Sequence, residues 1–364
     1  MEQITNRWNH EQYYLNGRGY YRSFNFLFLY VTERCNLRCK HCYIGDRLSK
    51  PNEFTLNKAI EALDYFRRLG SNLLFILGGE PLLYPWLDEI IDYAYELRYY
   101  IVITTNGVWE VNILKKIDSK KVRYLSFSLD GSSPKIHDMI RGKGTYEKCV
   151  KNMKIAQDMG FNIRIVSTIS GFNLKDGENI LNIATKMNIS LVDYHIFSVE
   201  ERGRNYTSWD IAAKKWIEFC KRLEENPLVS TGIEVYYPPT YCTPEDFEIY
   251  LERGYRGCLG KNIDRVSLFP DGSAYICSLF YDTKLNFGIF NESRLNLNRS
   301  CLPNELELFW SLPNGCIKCE YKNVCSGGCP AARYLYGEEK IKKLCNEKII
   351  SICRLWTTRA EGRK

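Results

Sequence analysis

Three cysteines lie within eight residues near the start of the chain, at Cys35, Cys39 and Cys42. They follow a short apolar run, and their spacing is C-x3-C-x2-C. Three cysteine thiolates can bind three irons of a four-iron cluster and leave the fourth iron without a protein ligand, whereas an electron-transfer cluster normally has four thiolates. The spacing therefore predicts an iron at which a small molecule can bind and react.

A zinc site is the alternative for these thiols, because zinc sites also use closely spaced cysteines and usually add a fourth Cys or His. His41 is nearby, but it lies inside the motif, where its ring would compete for space with Cys42. This crowding favours the iron cluster over zinc.

Further thiols are concentrated in the last third of the chain. They are Cys258, Cys277, Cys316, Cys319, Cys325, Cys329 and Cys345. The chain has 15 cysteines in all, and its N-terminus lacks the basic and apolar segments of a signal peptide. We therefore expect a cytoplasmic protein in which the thiols stay reduced and bind metal.

The composition is that of an ordinary globular protein. The 364 residues are 45% apolar and 26% charged, which suits about two domains with separate cores. The sequence contains no run of 18 apolar residues, so it predicts no membrane span. The net charge of +7 is modest and spread along the chain, so it does not by itself indicate nucleic-acid binding.

Segments with the apolar pattern of a strand alternate with segments that have the apolar pattern of a helix, which predicts an α/β fold with six strand–helix units. The strands are predicted at residues 24–31, 73–77, 101–104, 122–129, 163–169 and 191–197. The helices are predicted at residues 56–69, 85–97, 111–117, 146–159, 180–187 and 209–223. Parallel strands joined by helices predict a partial, TIM-like (β/α)6 barrel with its chemistry at the carboxyl ends of the strands, where the cysteine loop lies.

Three regions follow from this pattern. Residues 1–23 are predicted to be an extension that packs on the barrel, and residues 24–235 form the barrel. Residues 236–364 are a linker and a small cysteine-rich domain, which begins after Pro238 and Pro239. Within it, residues 266–277 predict a β-hairpin with Pro-Asp-Gly at the turn.

The other predicted strand ends carry small and polar residues. Gly78, Gly79 and Glu80 follow the second strand, and glycines allow the backbone to approach a ligand closely while a carboxylate can accept from an ammonium group. The remaining candidates at strand ends are Thr104, Asn106, Ser128, Arg141, Ile169 and Arg204. A surface salt bridge is the alternative role for Arg141.

The cysteine motif resembles that of the radical S-adenosylmethionine (SAM) superfamily, with His41 at a position that is usually aromatic. In that family the amino and carboxylate groups of SAM chelate the open iron, and one electron cleaves SAM to a 5'-deoxyadenosyl radical. The resemblance implies that Gly78, Gly79 and Glu80 bind the SAM amino group and that Thr104 and Asn106 lie near its ribose. It assigns Ser128 and Arg141 to the SAM carboxylate, Ile169 to adenine, and Arg204 to SAM or substrate.

The C-terminal thiols resemble the SPASM domain, an extension that binds two auxiliary four-iron clusters. The resemblance places Cys258, Cys277 and Cys329 at the first auxiliary cluster. It places Cys316, Cys319, Cys325 and Cys345 at the second. The first cluster then lacks a fourth thiolate, which Cys242 could supply unless that iron is open to substrate. Cys353 is an alternative to Cys345, since residues eight apart on a helix share nearly the same face.

The resemblance implies hydrogen abstraction from a substrate carbon, with the auxiliary clusters taking the leftover electron or binding the substrate. Enzymes of this group mostly act on peptides, so a ribosomally made peptide is the expected substrate and an oxidative crosslink the expected product. Epimerisation would need a thiol as hydrogen donor, and Cys242 and Cys301 are unassigned. A flavodoxin or ferredoxin would supply electrons, and a separate protein could bind a leader peptide.

Two other functions remain as alternatives. A tetrapyrrole decarboxylase of haem biosynthesis would also use this domain arrangement, and the 26 tyrosines would suit a flat substrate. A zinc-containing nucleic-acid binding module would also use grouped cysteines and a positive charge. Sulfatase maturation is disfavoured, because Ser278 stands where such enzymes carry an Asp.

Overall fold

The structure is a computed structural model that describes residues 24–49, 51–197, 210–258, 260, 264–281, 283–297 and 311–361. The predictions for residues 1–23, for Arg204 and for Cys301 fall outside the described residues.

The predicted strands are present with shifts of one or two residues at their ends. The barrel strands are β1 Phe26–Thr32, β2 Leu73–Gly78, β3 Tyr100–Thr105, β4 Val122–Ser128, β5 Ile163–Ile169 and β6 Leu191–Ile196. The later strands are β7 Glu234–Tyr237, β8 Tyr241–Cys242, β9 Arg265–Leu268, β10 Ser273–Tyr275, β11 Gly288–Asn291, β12 Arg294–Leu297, β13 Ile350–Ser351 and β14 Thr358–Arg359.

Helices follow the barrel strands much as the apolar periodicity predicts. The α-helices of the barrel region are α1 Leu56–Arg68, α2 Leu87–Glu96, α3 Pro134–Arg141, α4 Thr145–Asp158, α5 Asn179–Lys186 and α6 Ala213–Glu225. Those that follow are α7 Pro227–Ser230, α8 Pro244–Glu252, α9 Lys322–Cys325, α10 Pro330–Tyr336 and α11 Glu338–Asn346. Shorter 3-10 turns are Gly45–Ser49, Pro81–Leu83, Val111–Lys116, Ser119–Lys121, Ser278–Phe280 and Asn314–Cys316.

Helix α3 was not predicted from the sequence, in which only Arg141 of these residues was singled out. The helix has eight residues, and Pro134 stands in its first turn, where the missing N–H costs no hydrogen bond. It is too short to produce a clear apolar period, but it carries His137 and Arg141 toward the cysteine loop.

Strands β1 to β7 form consecutive parallel pairs, which confirms the α/β class and the partial barrel. Strand β9 pairs in parallel with the other side of β1, and the predicted hairpin β9–β10 extends the sheet toward β11 and β12. Within the described residues the sheet therefore has 12 strands, and it continues from the barrel into the cysteine-rich region.

Each barrel strand has a helix-facing side and an inner side. In β6 the Tyr194 ring packs at 5.5 Å against Phe219 of α6, so Asp193 and His195 face inward. In β1 Leu27 and Leu29 are fully buried, while Phe28 is half-buried and stacks at 4.6 Å on Phe75 of β2.

An ionic contact joins the region after the cysteine loop to the C-terminal hairpin. Arg47 donates to Glu33 and to Asp271, both at 2.9 Å, and also to the Tyr281 hydroxyl. Glu33 directly precedes the cysteine loop and is 1% exposed, whereas Asp271 lies in the hairpin turn. This contact fixes the cysteine loop relative to the C-terminal region.

Candidate functional site

The three thiols of the first motif lie in the loop that follows β1. Cys39 is buried, and Cys35 and Cys42 are half-buried. The loop turns tightly, because the Cys42 amide donates to the Cys39 carbonyl at 3.2 Å. Burial raises the pKa of Cys35 to about 11 and that of Cys39 to about 12. Metal binding requires thiolates, so an iron cluster would supply the positive charge that this site otherwise lacks.

The two glycines at the end of β2 lie against the chain that leads into the cysteine loop. A side-chain carbon on Gly78 would clash with the Thr32 carbonyl, and one on Gly79 would clash with the Arg34 backbone. The Gly79 amide donates to Thr32 at 2.7 Å, and the Glu80 amide donates to Arg34 at 2.7 Å. The described contacts therefore explain both glycines by the close approach of two protein segments.

Glu80 is fully buried and holds the loop after β3. Its carboxylate accepts from the Thr105 hydroxyl and from the Asn106 amide, both at 2.7 Å, and from the Leu82 amide at 3.2 Å. Burial raises the pKa of Glu80 to about 7, although these donors oppose the shift. Thr105, which was not singled out in the sequence, makes this contact, while Thr104 lies on the other side of β3 and is half-buried.

Asn106 connects this loop to the cysteine motif. Its side-chain amide donates to Asn36 at 2.8 Å and lies 3.8 Å from the Cys35 sulfur. Glu80, Asn106 and the cysteine loop are thus linked by direct contacts, as expected if they form one site.

Asp130 is the centre of a second group of contacts beside the loop. It is fully buried, and its carboxylate accepts from the Arg141 guanidinium at 2.5 Å and from the Thr168 amide at 2.8 Å. His41 of the cysteine loop lies 3.4 Å from the same carboxylate. Burial acts to raise the pKa of Asp130, but Arg141 and the neighbouring histidines outweigh it and lower that pKa to about 2.

The ionised Asp130 therefore joins the cysteine loop, helix α3 and the end of β5. The side chain of Arg141 is only 10% exposed, so the surface salt bridge considered for it is wrong. Burial lowers the pKa of His41 to about 4 despite the nearby Asp130, which keeps the ring neutral at pH 7. Asp130 had no predicted role; its place directly after the predicted strand 122–129 was the available signal in the sequence.

Ser128 and Ile169 take opposite sides of the sheet. Ser128 shares the inner side of β4 with Ser126, which accepts from Arg164 of β5. Ile169 is fully buried, and its side chain lies near Gly177 and Phe219 on the helix side. Ser128 therefore faces the same side as Thr104 and Thr168, whereas only the backbone of Ile169 reaches that side.

The C-terminal thiols form two separate groups around two cavities. The first cavity is lined by four cysteines, Cys258, Cys277, Cys329 and Cys353. The second is lined by four others, Cys316, Cys319, Cys325 and Cys345. Each cavity thus offers four thiols, the number that a fully protein-ligated four-iron cluster requires.

This grouping separates the two thiols that the sequence left as alternatives. Cys353 lines the first cavity, whereas Cys345 lines the second. Cys242 lies on β8 with its sulfur 3.8 Å from the Ile350 carbonyl and is not among the residues that line either cavity. Burial raises the pKa of the Cys242 thiol, as it does for Cys277.

No helix in the described part of the chain is long and apolar enough to cross a membrane.

Comparison with known proteins gives consistent results for the region around the cysteine loop. The sequence pattern of the radical SAM superfamily matches residues 29–187. The AdoMet-dependent heme synthase of Methanosarcina barkeri is 27% identical and aligns with 84% of this chain and 90% of its own length.

The mycofactocin maturase MftC of Mycolicibacterium smegmatis is 26% identical, over 84% of this chain and 78% of its own. Among solved structures, Streptococcus suis SuiB bound to the precursor peptide SuiA has a TM-score of 0.68 at 17% identity, covering 91% of this chain and 74% of SuiB. At that identity the likeness shows the fold alone. Residues 29–187 thus match a radical SAM domain, and members of that superfamily bind SAM and a [4Fe-4S] cluster.

Proposed function

We propose that this protein is a radical SAM enzyme that oxidises a peptide, removing a hydrogen atom from a carbon and forming a crosslink at that carbon. When bound, the cluster and SAM supply a 5'-deoxyadenosyl radical as the hydrogen acceptor. In this proposal Cys35, Cys39 and Cys42 hold the cluster that binds SAM.

The observation that carries the proposal is the pair of four-thiol cavities in the C-terminal region. A cluster with four protein thiolates has no vacant iron, so it suits electron transfer rather than substrate binding. Hydrogen abstraction followed by removal of one electron is an oxidation, which makes bond formation the expected outcome. Epimerisation returns a hydrogen atom and would need no such acceptor.

The residues around the cysteine loop are assigned to SAM as follows. The loop of Gly78, Gly79 and Glu80 would receive the amino group, and Asn106, held by Glu80, would lie beside the ribose. Arg141 and Ser128 would receive the carboxylate. Asp130 engages Arg141 through Nε, and the two terminal nitrogens of the guanidinium carry its other four N–H donors.

A peptide substrate is supported by the relatives. SuiB was solved with a precursor peptide, and MftC is named as a maturase. A tetrapyrrole is the second candidate, because heme synthases align with most of this chain at slightly higher identity. Electrons would come from a flavodoxin or ferredoxin, and a separate protein could present a leader peptide.

Metal content and SAM cleavage test the core of the proposal. Protein reconstituted without oxygen should be brown, with about twelve irons per chain for three four-iron clusters. Cys39→Ala should abolish reductive SAM cleavage and retain about eight irons. Colourless protein containing zinc, or SAM cleavage by the Cys39→Ala protein, would contradict the proposal.

Mass spectrometry distinguishes the two substrate classes. The protein would be incubated with SAM, reductant and either the short peptide encoded beside its gene or a carboxylated tetrapyrrole. A crosslink removes two hydrogens from the peptide, whereas decarboxylation removes carbon dioxide from the tetrapyrrole. The proposal expects the first change and no reaction with the tetrapyrrole.

A further inference from the structure

Arg265 is a buried cation that lines the first cavity. It begins β9, is 2% exposed, and shares the cavity wall with Cys258, Cys277, Cys329 and Cys353. Its charge lowers the pKa of Cys277, although burial of that thiol has the larger, opposite effect. Arg265 is therefore close enough to interact with a charge on these sulfurs.

The same side chain also reaches the inner wall of the barrel. Its guanidinium carbon lies 4.0 Å from the centre of the Phe28 ring, which stacks on Phe75. One terminal nitrogen donates to the Ser267 hydroxyl at 3.2 Å, and Nε has no hydrogen-bond partner within the described part of the chain. Arg265 thus lies between the first cavity and the space in which a substrate would react.

A buried guanidinium needs an anionic partner to offset the loss of hydration. The contacts of Arg265 in the described chain are an aromatic face and a hydroxyl, both uncharged. A four-iron cluster with four thiolates carries a net negative charge, which increases when the cluster is reduced. The cluster is therefore the anion that would compensate Arg265, and most strongly in its reduced state.

We propose that Arg265 sets the reduction potential of the first auxiliary cluster and makes it the electron acceptor nearest the substrate. Net charge and burial near a cluster are among the factors that determine its potential. A fixed positive charge stabilises the reduced form more than the oxidised form, so it raises the potential. This inference rests on the proposed function, because it assumes a cluster in the first cavity.

The electron transfer balances within the proposed reaction. The substrate carbon radical forms a bond to a nucleophile, whose proton is released to solvent or a base, and one electron goes to the oxidised cluster. That cluster becomes reduced by one electron, and an external acceptor or the SAM-binding cluster later takes the electron. No other oxidant is required.

Other buried cations also lie near these thiols. Arg354 is 4% exposed, and its backbone amide donates to Cys329. Arg333 is 2% exposed and influences thiols of both groups. Arg265 differs from both because it lines the first cavity and contacts the barrel interior, so its charge should affect the first cluster selectively.

Potentiometric titration of the reconstituted holoenzyme, followed by electron paramagnetic resonance, tests the inference without a substrate. The signal of the first auxiliary cluster is identified as the one lost in the double variant Cys329→Ala with Cys353→Ala. Arg265→Gln and Arg265→Met should shift its midpoint to more negative potential, whereas Arg265→Lys should keep it near the wild-type value. Arg164→Gln, which removes a half-buried arginine paired with Asp193, is the matched control and should shift none of the three midpoints.

Unchanged midpoints in both neutral variants would overturn the inference, and so would an equal shift in Arg265→Lys. Loss of this cluster from both neutral variants would also overturn it, since Arg265 would then be needed for assembly. Failure of the proposed function looks different, because wild-type protein would then bind about four irons instead of about twelve.

Discussion

The two C-terminal cavities have the same number of thiols but very different exposure. All four cysteines of the first cavity are buried, with exposed fractions between 3% and 8%. In the second cavity Cys316, Cys319 and Cys325 are half-buried and Cys345 is exposed. Solvent exposure and hydrogen bonding to sulfur change the properties of otherwise similar clusters. If both cavities hold clusters as proposed, this difference would suit the first to electron acceptance inside the protein and the second to electron exchange at its surface.

A short turn separates the two groups of thiols. Cys325 and Cys329 are four residues apart, yet they line different cavities. The residues between them include Ser326, Gly327 and Gly328, with φ angles of 52°, 76° and 83°. Three successive residues in the left-handed region reverse the chain sharply, a conformation that glycine adopts without strain. The turn directs the two neighbouring thiols into separate cavities.

The largest expected effect is the loss of one cluster when a cavity loses two thiols. The double variant Cys329→Ala with Cys353→Ala should reduce the iron content by about four of about twelve irons, because the first cavity then keeps two thiols, fewer than the three that hold a cluster in the first motif. Cys242→Ala is the matched control, since it removes a buried thiol that lines neither cavity. It should retain all the iron. Iron analysis and absorption spectra measure both, and a reversed result would assign Cys242 to the cluster.

The second prediction concerns the removal of iron from wild-type protein. A chelator such as EDTA removes iron fastest where the iron's thiol ligands are exposed to solvent. Because Cys345 is exposed, iron in the second cavity should be lost faster than iron in the first, by roughly tenfold or more. Electron paramagnetic resonance during anaerobic chelation follows each cluster separately. Equal rates, or faster loss from the first cavity, would contradict the contrast in exposure.

The turn between Cys325 and Cys329 gives the third prediction. Gly327→Ala should lower the apparent unfolding temperature, because a left-handed non-glycine residue costs about 1–3 kcal/mol. The added carbon would also meet the Pro313 ring at 2.5 Å. Gly315→Ala is the matched control, since Gly315 is exposed with nothing within 4 Å of the added carbon. Scanning calorimetry without oxygen compares them, and equal unfolding temperatures would show that the turn tolerates a side chain.

Much of the fold could be predicted because it depends on local patterns. Strand β5 was predicted at its observed bounds, as a short apolar run after a helix that Gly160 ends. The four thiols of the second cavity are the set that the family resemblance implied, with Cys353 left open as an alternative to Cys345. Three of those four thiols lie within ten residues of the chain.

The sequence was less informative where distant segments meet. Cys353 reaches the first cavity because β13, which ends two residues before it, pairs with β8, which is more than 100 residues earlier. Asp130 acquires its role from contacts with His41 and Arg141, which lie on two other elements. Arg265 has no motif around it, and only the pairing of β9 with β1 brings it to Phe28. Such contacts depend on the register of the sheet, which the sequence spacing does not contain.

The smallest expected effect concerns the surface beside the second cavity. Exposed lysines lie next to its cysteines in the chain, and Ile317 is 53% exposed among them. They are Lys318, Lys322, Lys342, Lys343 and Lys348, and they outnumber the exposed Glu320 and Glu347 that lie among them. Positive charge around a partly exposed cluster would attract an acidic electron carrier and raise its association rate, an effect that salt weakens. If electrons are exchanged here, reversing the charge of these lysines should slow electron transfer from the carrier protein. Electron transfer from small reductants should keep its rate.

The double variant Lys342→Glu and Lys343→Glu should therefore reduce SAM cleavage driven by reduced flavodoxin, severalfold at low salt and less at high salt. Cleavage driven by dithionite should stay at the wild-type rate. Lys214→Glu with Lys215→Glu, an exposed pair on the barrel side of the protein, is the matched control and should change neither rate. Equal slowing of the flavodoxin-driven reaction by the two double variants would mean that the carrier responds to the total charge of the protein. Slowing by the control pair alone would indicate that electrons enter on the barrel side. The second cavity would then not be the site of electron exchange.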